Sequence, residues 1–385
     1  MDSCDVLIVG GGPAGSSCAW GLRKSALDVL VVDRSKFPRS KVCGGWITPQ
    51  VFQMLEVEPA VYARANLLQE ITGFQIGTIG RDGVVVDYAR TVSYGIRRWE
   101  FDQYLLRRCG ARCKEGLEVV RLERVAGGWL INGAIKARLL VGAGGHFCPV
   151  ARFMTNRNLE QPVVAQEVEF RMTPVQAALC AVQADIPEIY FCDDMRGYGW
   201  CFRKHDYLNI GLGRLDAFHL SRHVAEFCRT LRQTHKLPFE WNDKFCGHAY
   251  RIFTASPSFV FDDGLMLIGD AAGLAYPQSG EGIRPAVESG LVAAEVIQAA
   301  AGEYSHGHLR PYLEQLDHRF GSGSGAMMKA AACLPAKLRN ACARSLLKNP
   351  TFCRNVVCDA WFLRKERAGI GMDYWPIPNP TGVSG

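Results

Sequence analysis

The glycines near the N-terminus have the spacing of a loop that binds a dinucleotide pyrophosphate. The segment GGGPAG at residues 10–15 follows an apolar, strand-like run and precedes a helical pattern. In such a loop Gly10 permits the turn, Gly12 lets a phosphate approach the backbone, and Gly15 brings the helix against the strand. Asp33 ends the next apolar run, where its carboxylate can accept hydrogen bonds from ribose hydroxyls. The residues expected to bind this half of a cofactor are Gly10, Gly12, Pro13, Ala14, Gly15, Asp33 and Arg34.

A second pattern, near residue 270, decides between FAD and NAD, which both carry an adenosine pyrophosphate. Asp270 lies in LIGDAAG at residues 267–273, after an apolar run, where it can accept a hydrogen bond from a ribityl hydroxyl. The loop PQSGEG at residues 277–282 opens a helical pattern, and its amides from Gly280 to Gly282 suit the pyrimidine edge of a flavin. Together the two signals predict non-covalently bound FAD. The added cofactor contacts are Gly269, Asp270, Pro277, Gly280, Glu281, Gly282 and Ile283.

The order of elements around these loops predicts a parallel sheet with crossing helices. Residues 5–33 have the strand, glycine loop, helix and strand of a βαβ unit. We predict a helix over 98–108, a β-meander over 117–143 and a long helix over 281–301. Because both ends of this pattern contribute to one sheet, we expect a discontinuous FAD-binding domain, formed by residues 1–75, 96–158 and 256–304.

Strand-like runs in the middle of the chain predict a second, mainly antiparallel sheet. We assign residues 76–95 and 159–255 to this substrate domain. The C-terminal region, residues 305–385, is expected to contain helices interrupted by Pro311, Pro335 and Pro350, before a proline-rich tail. The predicted fold class is therefore α/β: a Rossmann-type FAD-binding domain with an inserted mainly antiparallel β substrate domain and a helical C-terminal region.

The chain resembles the flavoprotein group that includes para-hydroxybenzoate hydroxylase, and within it most resembles the geranylgeranyl reductase family. The match to the group consists of the two segments above and RWEFDQYL at residues 98–105, similar to a family RxxFDxxL segment. The match to the reductases consists of KVCGG at residues 41–45 and GYGWCF at 197–202, similar to KxCGG and YxWxFP segments. The resemblance implies cofactor contacts from Cys43, Gly44 and Arg98, and substrate contacts from Trp46, Tyr198 and Trp200.

Two positions depart from the family patterns. The wider group usually has an Asp-Gly pair in a GADG segment, whereas this chain has Gly144 and Gly145 at those places. A carboxylate that the resemblance associates with FAD and pyridine-nucleotide binding in hydroxylases is therefore missing, which argues against fast NAD(P)H-driven hydroxylation. Arg203 replaces the proline of the YxWxFP segment and adds a cation beside the expected substrate region.

Cys43 and Tyr198 are candidates for the catalytic acid, and each has an ordinary alternative. A free cysteine is as often an ordinary buried residue as a reactive one. Tyr198 and Trp200 alternate on one predicted strand and should face the same side, where they could line an apolar pocket or pack in a core. The nine histidines show no HExxH spacing, so we expect no metal site.

The expected activity is the reduction of carbon–carbon double bonds in an isoprenoid-like or other apolar substrate, by hydride transfer from reduced FAD. NAD(P)H or a small electron-transfer protein would serve as reductant. A flavin monooxygenase or halogenase is one alternative, because the fold alone does not separate these activities. A flavin electron-transfer partner without its own small-molecule substrate is another.

Composition limits the other partners. Hydrophobic residues make up 48% and charged residues 21%, and the net charge of +6 is modest for 385 residues, so a nucleic-acid partner is not expected. The fifteen cysteines show no CxxC pairs, which favours a reducing, cytoplasmic location. We expect a monomer or weak oligomer. No apolar run is long enough to span a bilayer. Basic and apolar residues near the C-terminus, including Arg364, Lys365 and Arg367, leave two alternatives: peripheral contact with the inner face of a membrane, or packing on the protein itself.

Overall fold

The computed structural model describes residues 1–154, 162–216, 218–253, 260–320 and 335–365. Within these ranges the strands form three sheets, and they follow one another in this order: β1 (Asp2–Val9), β2 (Val29–Asp33), β3 (Trp46–Ile47), β4 (Leu68–Ile71), β5 (Gly73–Thr78), β6 (Val84–Asp87), β7 (Ser93–Ile96), β8 (Arg112–Glu115), β9 (Leu122–Val125), β10 (Gly128–Ile131), β11 (Ile135–Gly142), β12 (Val163–Arg171), β13 (Glu188–Phe191), β14 (Gly197–Lys204), β15 (Tyr207–Arg214), β16 (Cys246–Tyr250), β17 (Phe261–Asp262) and β18 (Leu265–Leu267).

The helices vary in length from 4 residues in the shortest to 17 in the longest. In chain order they are α1 (Pro13–Leu22), α2 (Pro49–Met54), α3 (Pro59–Tyr62), α4 (Arg98–Arg108), α5 (Pro149–Met154), α6 (Pro174–Leu179), α7 (Leu220–Gln233), α8 (Ile283–Ala299), α9 (His306–Phe320) and α10 (Ala336–Leu346). Short 3-10 turns lie at Gly145–Phe147 and Gly269–Ala271. After a single helical turn at Pro350–Phe352, the described chain continues as a π-helix over Cys353–Phe362.

The eight-stranded sheet contains the parallel order β18-β11-β1-β2-β8, with β17 antiparallel at one edge and the β9–β10 meander attached to β11. Val9 pairs with both Val32 and Gly142, and Gly142 pairs with Leu267, so four strands end at the same level. The loops that follow them must therefore lie side by side. This register places the predicted glycine loop, Asp33 and Asp270 at one edge, as expected for a doubly wound sheet.

Helices α1 and α8 pack against each other on one face of this sheet. A Cβ on Gly290 would lie 2.4 Å from Ala14 O, and one on Gly21 would lie 2.6 Å from the Ala294 Cβ. Only glycine allows this approach. The strands beneath are buried on both faces, as for Leu7 and Ile8 of β1, and each such side chain stabilises the fold by about 1.5–3 kcal/mol.

The seven-stranded sheet has the order β16-β12-β15-β14-β13-β5-β6 and is antiparallel except between β13 and β5. Helix α7 covers its outer face with Val224, Phe227 and Leu231, while the inner face turns towards the eight-stranded sheet. A small sheet, β3-β7-β4, lies beside it. These layers confirm the α/β class with an additional, mainly antiparallel sheet.

Some element boundaries differ from the sequence-based expectations. Helix α1 begins at Pro13, inside the glycine loop, because a proline at the first helical position loses no hydrogen bond there. Pro311 does not interrupt the C-terminal helices but lies within α9. The division into domains stays a prediction, and β5 crosses its boundary at residue 75. The expected proline-rich tail and Arg367 lie outside the described residues. None of the described helices is long and apolar enough to cross a membrane.

Candidate active site

A single cleft lies between the carboxyl edge of the eight-stranded sheet and the inner face of the seven-stranded sheet. Its cavity volume is about 300 Å³. Most of the predicted site residues line it: Gly10, Gly12, Pro13, Ala14, Asp33, Arg34, Cys43, Gly44, Trp46, Arg98, Tyr198, Trp200, Asp270, Gly280, Glu281, Gly282 and Ile283.

Three predicted cofactor residues, Gly15, Gly269 and Pro277, do not line the cleft. A Cβ on Gly15 would lie 1.9 Å from Gly10 O, so this glycine allows the loop to close on the helix. Gly269 has a φ of +60°, and its amide donates to Ser289 Oγ at 2.9 Å. Both glycines therefore shape the backbone beneath the cleft.

The start of α1 forms an open cradle at one end of the cleft. Gly12 is its N-cap residue and provides no side-chain cap, so the amides of the first turn are available to a ligand. A Cβ on Gly12 would meet only Arg39 Nη2, at 3.2 Å. On the other side of the loop, Gly10 has a φ of +119°, and a Cβ on it would lie 2.4 Å from Ala143 O. The cradle is thus closely packed at Gly10 and has free space in front of Gly12.

Two arginines and one aspartate supply the charge beside this cradle. Arg98 Nε and Nη2 donate to the two oxygens of Asp102, each at 2.9 Å, and Arg39 Nη2 lies 3.2 Å from Asp102 Oδ2. Burial alone would lower the pKa of Arg98. Asp102 and the neighbouring Cys43 outweigh burial and raise this pKa. Two cations share one carboxylate, which leaves positive charge to balance a phosphate.

Asp33 lies at the end of β2 with a fixed orientation. Its Oδ2 accepts a hydrogen bond from the Gly11 amide at 2.8 Å, and its Oδ1 accepts one from the Ser35 amide at 2.8 Å. Each carboxylate oxygen has a second lone pair, so Asp33 can also accept hydroxyl donors from the cleft.

A polar cluster of Lys41, His248 and Asp270 lies further along the cleft. Lys41 Nζ is 2.9 Å from His248 Nε2, which is 4.0 Å from Asp270 Oδ2. Burial lowers the pKa of both Lys41 and His248. Burial alone would raise the pKa of the Asp270 carboxyl. The His248 hydrogen bond and the Lys41 charge outweigh burial and lower this pKa. Asp270 is therefore ionised and can accept a ligand hydroxyl.

The loop before α8 differs from the expectation in its hydrogen bonds. The Gly280 amide donates to Tyr276 O at 2.8 Å, and the Glu281 amide lies 3.3 Å from Ser279 Oγ, so neither is directed freely into the cleft. Gly282 is the N-cap residue of helix α8 and provides no side-chain cap. Its first turn, rather than the amides of Gly280 and Glu281, provides the positive dipole end at this part of the cleft.

An aromatic wall lies opposite the glycine loops. Tyr198 and Trp200 face the same side of β14, with ring centroids 6.1 Å apart. Phe362, at the end of the π-helix, lies 5.7 Å from the ring centroids of both Tyr198 and Trp46. The Tyr198 hydroxyl donates to Ser279 O, and burial raises its pKa well above the usual value.

Cys43 lies between the wall and the cradle. Its Sγ accepts a hydrogen bond from the Gly45 amide at 3.4 Å and contacts Arg98. Its carbonyl accepts a hydrogen bond from Asn209 Nδ2 at 3.2 Å. Beneath it, burial raises the pKa of Glu167 to about 7, although the Cys43 amide and Lys204 act against this shift.

Comparisons with known proteins agree with this geometry. A family model described as FAD dependent oxidoreductase matches residues 5–103. Menaquinone reductase from Mycobacterium tuberculosis is 29% identical over 361 residues, covering 86% of this chain and 84% of the relative. Geranylgeranyl diphosphate reductase from Rhodobacter capsulatus is 30% identical over 316 residues, covering 77% of this chain and 75% of the relative. This chain belongs to the geranylgeranyl reductase family of FAD-dependent oxidoreductases.

Two solved structures share the fold of this chain. A geranylgeranyl bacteriochlorophyll reductase-like protein from Thermoplasma acidophilum superposes with a TM-score of 0.76 at 20% identity, over 95% of this chain and 98% of the other. A variant of the halogenase PltM in complex with FAD gives a TM-score of 0.67 at 15% identity, over 91% and 78% of the two chains. The fold is therefore shared by reductases and halogenases.

The residues of this reductase-family chain fit FAD. The cradle at Gly12 has room for a pyrophosphate between uncapped helix amides and Arg39, and Asp33 can bind the ribose. Asp270 and the first turn of α8 follow along the same cleft. The flavoprotein contains, in one continuous groove, the groups needed for both ends of the cofactor.

Sequence reasoning missed several residues of this family member's cleft. Arg39, His248, Tyr250 and Phe362 line it but belong to no motif that we recognised. His248 and Tyr250 lie on β16, which pairs with β12 at the edge of the seven-stranded sheet. The only local signal was the alternation of His248 and Tyr250 in a short strand.

Proposed function

We propose that this flavoprotein reduces carbon–carbon double bonds of an isoprenoid-like, apolar substrate. The observation that carries the proposal is the aromatic wall of Trp46, Tyr198, Trp200 and Phe362, which lines the same cleft as the cofactor cradle. A stack of aromatic rings binds an alkene chain without requiring polar partners. The names of the reductase relatives support the same substrate class.

Bound FAD supplies the hydride, and the protein's tasks are binding, orientation and proton supply. Gly12, Asp33, Arg39 and Arg98 would hold the adenosine diphosphate, and Asp270 would hold the ribityl chain. The aromatic rings of the wall would pack against the alkene and hold it next to the cofactor. Arg98 and the Gly45 amide hold Cys43 beside the cradle, where the thiol would orient the substrate or relay a proton.

The Tyr198 hydroxyl suits an orienting role better than that of an acid. Its proton is committed to the Ser279 carbonyl, and its pKa is raised by burial. Tyr198 would therefore fix the wall against the loop before α8. Of the two acids suggested by sequence, Cys43 remains a candidate.

The electron donor is a separate part of the proposal. NAD(P)H and a small electron-transfer protein are the two reductants to compare. Anaerobic titration of the oxidised protein with NADPH, NADH or reduced ferredoxin, followed by flavin absorbance, distinguishes them by the rate of bleaching. A monooxygenase or halogenase would use the same reductants, so this measurement does not test the substrate class.

Anaerobic turnover with product analysis tests the proposed function. Photoreduced protein is mixed with geranylgeranyl diphosphate, geranylgeraniol or menaquinone, and flavin reoxidation and product mass are followed. We expect reoxidation and gain of two hydrogens per reduced double bond. Products that appear only with oxygen would instead identify a monooxygenase or halogenase. Reoxidation by a protein acceptor alone would identify an electron-transfer partner.

We further propose a cytoplasmic protein, monomeric or weakly associated, that touches a membrane surface through α10. The described cysteines are free thiols, as in a reducing compartment. None of the residues of α10 is buried, and Leu338 and Leu346 are 51% and 46% exposed beside Lys337 and Arg339. Basic and apolar side chains on one exposed helix suit an anionic lipid interface.

The segment after α10 is packed on the protein itself. Phe362 and Leu363 are buried, and Trp361 packs against Phe191 and Phe352. Arg364 Nη2 donates to Gln278 Oε1, and Lys365 Nζ lies 2.6 Å from Asp359 Oδ1. These contacts assign this segment to closing the cleft, so the proposed lipid contact is restricted to α10.

A further inference from the structure

Cys109 and Cys113 form a close pair of free thiols outside the cleft. Their Sγ atoms lie 3.8 Å apart and share a hydrogen bond. Cys109 directly follows α4 and is buried, whereas Cys113 lies on β8 and is exposed. Neither residue lines the cleft. A disulfide places its sulfurs about 2 Å apart, so the two thiols need to approach each other by only about 2 Å to be joined.

The fold holds the backbone on both sides of this pair. Cys109 is the C-cap residue of α4, and β8 is fixed in the eight-stranded sheet by its parallel pairing with β2. Between them Gly110 has a φ of +77°, which turns the chain sharply. Arg112 Nε and Nη2 donate to the two carboxylate oxygens of Asp28, at 2.9 and 2.7 Å. The helix end and the sheet therefore keep the sulfurs close, and rotation of the exposed Cys113 side chain can close the remaining gap.

The hydrogen bond between the thiols favours the reactive form of the pair. The thiolate, rather than the thiol, is the nucleophile in sulfur chemistry. The Cys113 hydrogen bond lowers the pKa of Cys109 to about 7, burial opposes this shift, and the Ala111 amide supports it. At Cys18, by contrast, burial raises the pKa to about 12. Near neutral pH the pair thus combines a thiolate with an exposed thiol.

We propose that Cys109 and Cys113 are a reversible oxidation site, which hydrogen peroxide converts to a disulfide. The exposed Cys113 Sγ attacks one peroxide oxygen while its proton passes to the Cys109 thiolate. The O–O bond breaks, hydroxide leaves, and Cys113 becomes a sulfenic acid. Cys109 gives its proton to this hydroxide, which forms water, and attacks Cys113 Sγ. The S–S bond forms, the S–O bond breaks, and a second hydroxide leaves. The two sulfurs lose two electrons, which the peroxide gains.

The second sulfur sets this pair apart from the other exposed thiols. Cys246 and Cys342 are also exposed, but within the described ranges neither has a second sulfur at hydrogen-bonding distance. Oxygen that reacts with a reduced flavin yields the required peroxide. In a reducing compartment small thiols convert such a disulfide back to the dithiol. The site lies outside the cleft, so the proposal does not depend on which substrate the protein reduces.

Peptide mapping of the intact FAD-bound protein provides the first test. Reduced protein is treated with hydrogen peroxide, alkylated, digested with trypsin and analysed by mass spectrometry. Trypsin cuts after Arg112, so a disulfide would join two separate peptides. We expect this joined product, lighter by two hydrogens and removed by dithiothreitol, to form on the order of 10-fold faster than oxidised Cys246 or Cys342. If Cys109 and Cys113 remain open to alkylation, or react no faster than those two thiols, the proposal is overturned.

Single substitutions provide the second test. Cys109→Ser and Cys113→Ser should form no disulfide and consume peroxide more slowly, because each variant lacks one of the two sulfurs. Cys342→Ser, at an exposed position of α10, is the matched control and should react as wild type does. Circular dichroism shows whether each variant is folded, and the peptide mapping of wild type stands without them. Peroxide consumption at the wild-type rate in folded Cys109→Ser and Cys113→Ser would overturn the proposal.

Discussion

Trp200 Nε1 donates a hydrogen bond to Asn209 Oδ1 at 2.7 Å, between the neighbouring strands β14 and β15 of the seven-stranded sheet. The same Asn209 side chain donates to the Cys43 carbonyl at 3.2 Å. One buried amide therefore joins the aromatic wall to the loop that carries Cys43. The orientation of the indole and the position of this loop are fixed by the same residue.

Asn209→Ala should destabilise the protein and disturb the cleft. The change leaves Trp200 Nε1 and Cys43 O buried without their partner, which costs about 1–3 kcal/mol in free energy of unfolding. Urea denaturation followed by tryptophan fluorescence measures this loss, with the exposed Asn242→Ala as control. Equal stability of the two variants would show that the shared amide contributes nothing.

Gly12→Val should fold normally but fail to bind FAD. The structure offers a Cβ at Gly12 only one close neighbour, Arg39 Nη2 at 3.2 Å, so the side chain would fill the space in front of the helix amides. Wild type should release intact FAD on denaturation. Circular dichroism and flavin absorbance separate folding from binding, and Gly307→Val at an exposed position of α9 serves as control. A yellow Gly12→Val protein with stoichiometric flavin would mean that the phosphate site lies elsewhere.

Glu167→Gln should change how stability depends on pH. In wild type the unfolded chain loses the Glu167 proton near pH 4.5, whereas burial keeps it in the folded protein until about pH 7. Between these values the folded state binds more protons, so its stability falls as pH rises, by on the order of 3 kcal/mol. Glu167→Gln has no proton to release at this position, so it does not lose stability in this way. Its stability relative to wild type should therefore rise across that range and level off above it.

Chemical denaturation at several pH values measures this difference. Glu226→Gln, an exposed replacement with the same change of charge, should follow wild type throughout. A Glu167→Gln curve parallel to wild type would show that burial does not hold the proton on this carboxyl.

Reversing charge on α10 should weaken binding to anionic vesicles. Lys337→Glu with Arg339→Glu removes two cations beside exposed Leu338, and each cation near a lipid surface contributes about 1 kcal/mol. Co-sedimentation with phosphatidylglycerol and phosphatidylcholine vesicles measures the effect. Arg222→Glu with Arg229→Glu on exposed positions of α7 is the matched control. Equal binding to both lipids, or equal loss in both double variants, would exclude α10 as a membrane contact.

The cofactor cradle was predictable because its information is local. Gly10, Gly12 and Asp33 lie within one βαβ unit, and the strand, turn and helix around them can be recognised from neighbouring residues. Asp270 was found in the same way from the short strand before it.

The opposite side of the cleft was not predictable by such reasoning. Lys41 and His248 are 207 residues apart and meet only because β16 pairs with β12 at the sheet edge. Phe362 reaches Trp46 from a π-helix, a form for which the amino-acid pattern gives no distinct period.

The parallel pairing of β18 with β11 bears on how this chain is made. The nucleotide-binding sheet lacks β18 until the ribosome has synthesised residue 267, although β11 ends at Gly142. During that interval the seven-stranded sheet emerges, while the edge of β11 that will receive β18 has no permanent partner. Long-range parallel pairing of this kind is slow to form. Assembly of the cofactor cleft is thus a late step of biosynthesis, and truncation before residue 265 yields a nascent chain that retains the glycine loop but lacks Asp270 and the first turn of α8.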